Sequence, residues 1–446
     1  MSEKSDDNSE PDFSDFADWY GPNIGITIWE YMEDLSTQQK QIVENNVALL
    51  LDKEKWKTRV DAFEDELSKI VDENERQEKR AEFAIHFDRY EFNSGRLELF
   101  NYYFPCNVSF DNVKFADHDV GFSEAKFSSS AHFTEAEFGE GYVNFQDAEF
   151  GKGNVWFTGA IFQRQLISFS RATFEGELIF TPNKEKSTLY HASFNDVVIS
   201  GNFIINADYN CDETIFYDLG DDATFQRLNV KGSANFSGST FKQVPDFRDA
   251  IFDRPPEVAN MKVQPPKMEG FLCKDKNDAS KYRKLKSMAV AASDHVKSGE
   301  FFAYEMMAKR GMEIKKCPEL TLNYLYGLFS GYGQSYKRPL ASLGIIWASF
   351  TFLNMLIVFR TLDFLDGSFF AARLSLHNLV PFISSLARFV PSPDKYVSNF
   401  QTTMNGLESD GVNIGALTLF GVSQQLIGAI LLFLLLLGLR NKFRLK

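Results

Sequence analysis

The chain has 446 residues, of which 61 are acidic and 47 basic, giving a net charge of −14 and room for several cores. Its four cysteines, Cys106, Cys211, Cys273 and Cys317, are scattered; they exclude a CxxC or Cys/His ligand cluster and fit a reducing compartment. The charge is uneven: residues 1–104 sum to −13, 105–260 to −11 and 261–446 to +10. Such asymmetry points to nucleic acid or a membrane. The basic end also carries the longest apolar runs, which favours the membrane.

Residues 1–20 are polar and acidic, and a disordered tail is expected there. The segment MSEKSDDNSEPDFSDF lacks the apolar core of a signal peptide, so the N-terminus is expected to stay in the cytoplasm. Residues 21–104 are expected to form an N-terminal helical region. From about Thr37 to Asn93 the pattern reads as helix. Val60, Phe63, Leu67 and Ile70 keep the spacing of three and four that places them on one face. This fits an amphipathic helix packed on its neighbour better than a coiled coil, because the heptad pattern does not persist.

From Val108 the pattern changes. The chain holds 45 Phe against 5 Trp and 16 Tyr, and many of these Phe recur at regular intervals. They stand at Phe110, Phe115, Phe122, Phe127, Phe133, Phe138, Phe145, Phe150, Phe157, Phe162, Phe169 and Phe174. Steps of five alternate with steps of six or seven. Two residues before each Phe stands Val, Ala or Ile: Val108, Val113, Val120 and Ala125 begin the series. Neither a helix nor a simple strand has this period. A fixed repeat implies stacked units, none of which buries its apolar face alone.

The units VSFDNVKF, AHFTEAEF, VNFQDAEF, VWFTGAIF and ISFSRATF resemble the pentapeptide-repeat family in its Phe-centred form. That resemblance implies a right-handed quadrilateral β-helix, with the Phe and the small residue two before it pointing inward. Alternate positions then face solvent. Two twelve-residue units per coil give about six coils over residues 108–252, a rod of roughly 30 Å at the spacing of strand layers. The repeat frays between Phe180 and Phe216 and resumes at Phe225, Phe236, Phe241 and Phe252. The interruption reads as loops bulging from one face, incidental or a binding site. Pro255, Pro256, Pro265 and Pro266 mark the end of a solenoid placed at 105–256.

Residues 257–338 read as a linker with basic juxtamembrane helices. Between 261 and 338 stand 15 basic and 8 acidic residues, the sign expected of a segment held at an anionic leaflet. A transmembrane domain is expected at 339–446. Residues 340–359 and 414–439 are uncharged runs long enough to cross a bilayer. Lys337 and Arg338 precede the first, and Arg440, Lys442, Arg444 and Lys446 follow the second. The loop 361–413 holds three basic and five acidic residues. The excess of positive charge therefore puts both termini in the cytoplasm. Within the loop, residues 369–390 suit either an interfacial amphipathic helix or a re-entrant segment, interrupted by Arg373, His377, Pro381 and Arg388. The C-terminal block, with YGQSYKRPL at 332–340 and LRNKFRLK at 439–446, resembles membrane-anchored pentapeptide-repeat proteins of bacteria.

The expected architecture is thus an α+β multidomain membrane protein: N-terminal helices, the β-helix, a basic helical connector and a two-span α-helical hairpin. An inner-membrane location follows from the resemblance. No GxxxxGK(S/T), GxSxG or HExxH motif is present, and the six histidines are isolated in sequence, so neither an enzyme nor a cofactor is expected. Two spans cannot enclose a pore. Asn354, Gln424 and Gln425 are amides that need partners in lipid, which suggests a homo-oligomer. The expected partners are membrane lipid, further copies of the chain and an unknown cytoplasmic protein or trigger. Two roles compete for the hairpin. It could open as an oligomeric pore on a cytoplasmic signal, as in cell-suicide defence against phage, or serve only as the anchor of a scaffold. No TVGYG-like filter supports the first. A DNA-mimic role for the acidic solenoid is a lesser alternative, and nucleic acid is an improbable partner.

Overall fold

The computed structural model describes residues 11–12, 14–16, 36–93, 95–115, 117–163, 166–183, 191–205, 214–216, 224–241, 243–358, 368, 371–372, 374–376, 379 and 414–444. These divide into two compact units. The first holds residues up to Pro266 together with Ser280–Phe301; the second holds Lys267–Ala279 and Phe302–Lys446.

The first unit is a parallel β-solenoid with four faces, built from two- and three-residue strands. The first face stacks seven strands in order: Ala84–His86, Asn107–Ser109, Ala131–His132, Val155–Trp156, Leu178–Ile179, Phe203–Ile204 and Ala234–Asn235. The second begins at Glu91–Phe92, the third at Leu97–Glu98 and the fourth at Tyr103–Phe104. The register gives the coil length directly. Val108 pairs with Ala131 and Ala131 with Val155, so a coil takes 23 or 24 residues, close to two twelve-residue units.

Inside, the rings stack coil upon coil in four columns. Phe122, Phe145, Phe169, Phe194, Phe225 and Phe247 follow one another at centroid separations of 4.5–5.2 Å. Phe110, Phe133 and Phe157 form a second column, Phe115, Phe138 and Phe162 a third, and Phe127, Phe150 and Phe174 a fourth. The twelve repeat phenylalanines from Phe110 to Phe174 are all buried, as are the Val, Ala and Ile residues two before them. One column, that of Phe122, crosses the irregular stretch unbroken. Phe194 stacks on Phe169 at 5.1 Å and on Phe225 at 5.2 Å, although the coil between the last two is 31 residues long, as the Ser193–Thr224 bridge shows. Extra residues therefore leave the core register untouched.

Two residues after the inward position, alternate corners carry a left-handed backbone. Asn112, Glu124, Glu135, Asp147, Arg171, Asp196 and Arg227 all have φ between 54° and 62°. The conformation closes a tight turn, with Val113 N–H donating to Phe110 carbonyl across Asn112. It also aims the corner N–H at the next coil: Asn112 donates to Thr134 O at 2.8 Å and Glu124 to Gln146 O at 2.9 Å. These bonds offset the roughly 1–2 kcal/mol that a side chain costs in this region.

The solenoid starts earlier than the repeat pattern indicates. The expected helix to Asn93 ends at Glu82, as three helices: α1 (Thr37–Leu50), α2 (Lys53–Ser68) and α3 (Glu73–Glu82). Ser36, Asp52 and Asp72 cap their N-termini by side-chain acceptance of backbone N–H groups. Strand follows at once, and a complete coil occupies 84–104, placed ahead of the expected start at 105. Phe87 stacks on Phe110 at 4.7 Å, Phe92 on Phe115 at 5.6 Å and Phe104 on Phe127 at 4.7 Å. α1 and α2 then close this end. Trp56 lies 5.4 Å from Phe104 and donates its indole N–H to Tyr103 O, while Tyr102 donates its hydroxyl to Leu50 O.

At the other end, α4 (Asp278–Ala291) packs on the last coil. Tyr282 donates to Gln264 O and Lys284 to Ala250 O, each at 2.6 Å, and Leu285 and Met288 are buried. This part of the basic connector is thus a solenoid cap. Burial of the Lys284 ammonium holds its pKa below the ordinary value.

In the second unit, α5 (His295–Ala308) contributes its C-terminal half, followed by α6 (Cys317–Ser330), α7 (Lys337–Val358) and α8 (Ile414–Arg444). α7 and α8 contain the 21 and 29 residues, Lys337–Ile357 and Gly415–Phe443, that are long and apolar enough to cross a membrane.

Candidate functional site

Two polar clusters among the described residues are candidates for a site. The first lies in the second unit, between the long helices. One face of α8 is packed, through Leu417, Gly421, Gln424, Gly428, Leu431, Leu434 and Gly438, at intervals of three and four. Glycine is needed at 428, since a Cβ there would lie 2.1 Å from Leu379 O. Gln424 is fully buried and donates its side-chain N–H groups to Ser375 O at 2.8 Å and Ser375 Oγ at 2.7 Å. Ser375 donates to Trp347 O on α7 at 3.0 Å, and Trp347 Nε1 donates to Ala372 O at 3.2 Å. Helical residues of 371–379 therefore sit against both long helices. Asn354 is buried on α7, and its Oδ1, like Gln424 Oε1, has no hydrogen-bond partner among the described residues.

Sequence reasoning places Asn354, Gln424 and Gln425 together as intramembrane amides. Two of these are buried; Gln425 is exposed. Arg373, His377 and Pro381, expected beside them, lie outside the described residues. Ser375 and Trp347 escape a reading of the sequence because nothing in their spacing distinguishes them from other residues of an apolar run.

The second place was not legible in the sequence. α3 stands beside the fourth face of the solenoid and leaves a cleft of about 350 Å³ lined by Arg80, Tyr103, Lys126, Ser128, Glu149 and Lys152, among others. Arg80 is its keystone. Its guanidinium pairs with Glu64 on α2 at 2.7 Å and donates to Pro105 O at 2.8 Å and Tyr103 Oη at 3.1 Å. Burial opposes the charge, yet Glu64 and Tyr103 hold its pKa above the ordinary value. Its Nε remains a buried donor without a partner. Burial pushes the Tyr103 phenol up. Lys126 and Glu149, paired at 2.9 Å on adjacent coils, form the outer wall. The cleft is thus a polar slot of side-chain size, while Arg80 Nε, without a partner among the described residues, is buried away from solvent.

Elsewhere on the solenoid, several acidic side chains pair with basic ones on neighbouring coils. Glu91 and Lys114 pair at 3.0 Å, and Asp147 with Arg171 and Asp196 with Arg227 at 2.7 Å, each across neighbouring coils. Charges of opposite sign alternate along these columns, whereas duplex DNA presents rows of one sign. The histidines, isolated in sequence, are not all isolated in space. His86 Nδ1 lies 2.7 Å from a buried Asp88 oxygen, and His132, outward as expected, stacks on Trp156 at 4.1 Å with its Nδ1 buried and unpartnered.

Comparison with known families bears on the solenoid. The family described as Pentapeptide repeats (9 copies) matches residues 122–166. The matched segment is a pentapeptide-repeat solenoid, and the same strand geometry continues on either side of it. No curated protein and no solved structure matches it.

Proposed function

We propose that this chain is a non-enzymatic, membrane-anchored recognition protein. α7 and α8 insert as a hairpin in a bacterial inner membrane with both termini cytoplasmic, and the capped solenoid binds a cytoplasmic partner. The observation that carries this reading is the surface of α8. Apart from its packed face, it exposes Leu419, Val422, Leu426, Ile430, Phe433 and Leu436, an apolar surface that water does not tolerate over such length. Basic residues stand at the entry to α7 and the exit from α8, and few occur between the two helices, which sets the orientation. On the solenoid, the cleft beside Arg80, with Lys126 and Lys152 in its lining, is the place offered to a polar or acidic group of the partner.

Membrane extraction and reporter fusions test the anchor. The chain should resist alkaline carbonate, with reporters at both ends inside and one at residue 400 outside. Carbonate extraction or a periplasmic C-terminus would overturn it.

A second reading, in which copies assemble into a pore, is favoured by one observation: the buried Asn354 and Gln424 oxygens that lack partners. Polar groups inside lipid are retained mostly where they contact a partner or an ion path. Ion flux from liposomes carrying the chain separates the two readings, since an anchor leaves them tight.

A further inference from the structure

α6 is amphipathic with its polarity reversed. Its inner face is Asn323, Gly327 and Ser330, all buried, while Leu322, Leu325 and Leu328 are 67%, 37% and 52% exposed. A helix on an aqueous surface puts its polar stripe outward. Here the polar stripe is satisfied from within. Arg310, buried, donates from Nε to Asn323 Oδ1 at 2.8 Å and from Nη2 to Tyr332 Oη; Asn323 in turn donates to Met306 O at 3.2 Å. Arg338 closes the C-terminal end by donating to Gly327 O at 3.0 Å. Gly327 is required, since a Cβ would lie 2.8 Å from both Arg310 Nη2 and the Tyr332 ring. The arrangement leaves Leu322 and Leu328 more than half exposed and Leu325 more than a third exposed among the described residues.

A second feature extends the same apolar surface. The antiparallel pair Met268–Glu269 and Leu272–Cys273 turns at Gly270 and exposes Phe271 by 56%. The Phe271 ring lies 6.4 Å from that of Tyr324 on α6. The position along the bilayer is also fixed. The turn after α6 packs on the basic end of α8, where Gly333 meets Leu437, Asn441 donates to Gly333 O at 2.9 Å, and Lys442 sits 4.4 Å over the Tyr336 ring. Lys315 and Lys316 flank the other end of α6. Fourteen residues span only about 21 Å, too short to cross the hydrocarbon but suited to lying in it.

We infer that α6 lies in the plane of the leaflet that receives the basic ends of α7 and α8, with Leu322, Leu325, Leu328 and Phe271 among the acyl chains. This rests on the membrane reading above. The occupant of the leucine face is lipid, because the face is continuous with the helices proposed to span and is flanked by lysines at headgroup depth.

Spin labels in the full chain, reconstituted in phosphatidylethanolamine–phosphatidylglycerol vesicles, test it. With Cys211 and Cys317 replaced by Ser, nitroxides are placed at Leu325→Cys, Leu328→Cys, Lys316→Cys and, as a reference on α8, Ile430→Cys. Collision with oxygen should exceed collision with a water-soluble nickel chelate at 325 and 328 as it does at 430, and the order should invert at 316. If 430 is oxygen-accessible while 325 and 328 meet the nickel chelate, α6 lies in water and the inference fails alone. If 325 and 328 are shielded from both reagents, a second protein copy covers the face, which also overturns it. Nickel access at 430 as well would remove the membrane reading itself.

Discussion

At the scale of single residues, the solenoid separates positions that hold the fold from positions that only decorate it. Phe145 stacks between Phe122 at 4.8 Å and Phe169 at 5.1 Å and is fully buried. Phe145→Ala is expected to cost about 3–5 kcal/mol, because neighbouring rings held by their own coils cannot collapse into the space. Gln146→Ala next to it should cost below about 1 kcal/mol. Chemical denaturation of both variants in detergent checks the contrast; equal losses would mean the inward assignment is wrong. His132 carries a pH dependence. Burial lowers its pKa to about 4, well below the ordinary 6.5. An unfolded chain therefore binds the proton first as pH falls below about 6.5, and stability declines from there to pH 4. The loss should reach about 2–3 kcal/mol, since a tenfold difference in proton affinity between the folded and unfolded chain corresponds to about 1.4 kcal/mol. His132→Gln should flatten the stability profile between pH 4 and 6.5, and an unchanged slope would remove His132 as its source. These inward and outward assignments were legible because the period itself states them. What a half-buried outward residue touches, such as Trp156 beside His132, depends on the coil above and is not written in the local pattern.

Among the elements, the first coil shows what the repeat pattern concealed. Its inward residues are Phe87, Phe92, Leu99 and Phe104, at steps of five, seven and five, with six more to Phe110. The period was therefore present. The small-residue signal was not, since Tyr90 and Tyr102 stand where later coils have Val or Ala, and Leu99 replaces a Phe. Charge and amphipathic spacing upstream then carry the helical expectation too far. The connector misleads for a related reason: basic residues look alike whether they face lipid or a protein surface. Lys281 and Lys284 face the solenoid end, as their burial and the bond to Ala250 show. The cleft at α3 depends on contacts between residues more than twenty positions apart, which no local pattern reports. Arg80 is what fastens that helix. Arg80→Ala should destabilise the protein by about 2 kcal/mol, the half-exposed Glu64 carboxylate keeping the loss below that of a fully buried pair. It should also speed proteolysis within residues 73–82. If both readouts match the parent, the Arg80 pairing contributes nothing to holding α3.

For the whole molecule, the division of charge follows the division of structure. Residues 36–260 carry an excess of acidic side chains, whereas residues 302–446 carry an excess of basic ones. Both long apolar helices were legible from length and the absence of charge. Their internal contacts were not, because an apolar run does not announce which face is packed. This changes what the amides should do. The N–H groups of Gln424 are taken up within one chain by Ser375, so Gln424→Leu should loosen the hairpin and lower thermal stability by about 1 kcal/mol without altering the subunit count. Gln425 faces outward, and Gln425→Leu should weaken whatever self-association occurs in mild detergent. Light scattering after size exclusion separates the two. A subunit count that responds to position 424 and ignores 425 would reverse the assignment.

The helices at the two ends of the solenoid carry a further consequence. Every coil is a template for the next: its strands offer a complete row of amide and carbonyl groups, and its rings offer four flat platforms. A solenoid with a bare end is therefore a growing tip, onto which an identical molecule can add with the geometry of the missing coil. α1 and α2 occupy that tip with Trp56 and Leu50 instead of another ring set. Protein lacking residues 1–82, with α4 still covering the other end, should associate in pairs through the bared first coil, seen as a doubled mass by light scattering at concentrations where the intact chain stays dispersed. The N-terminal helices thus work as a stop codon works for a ribosome, ending a process that the repeat would otherwise continue.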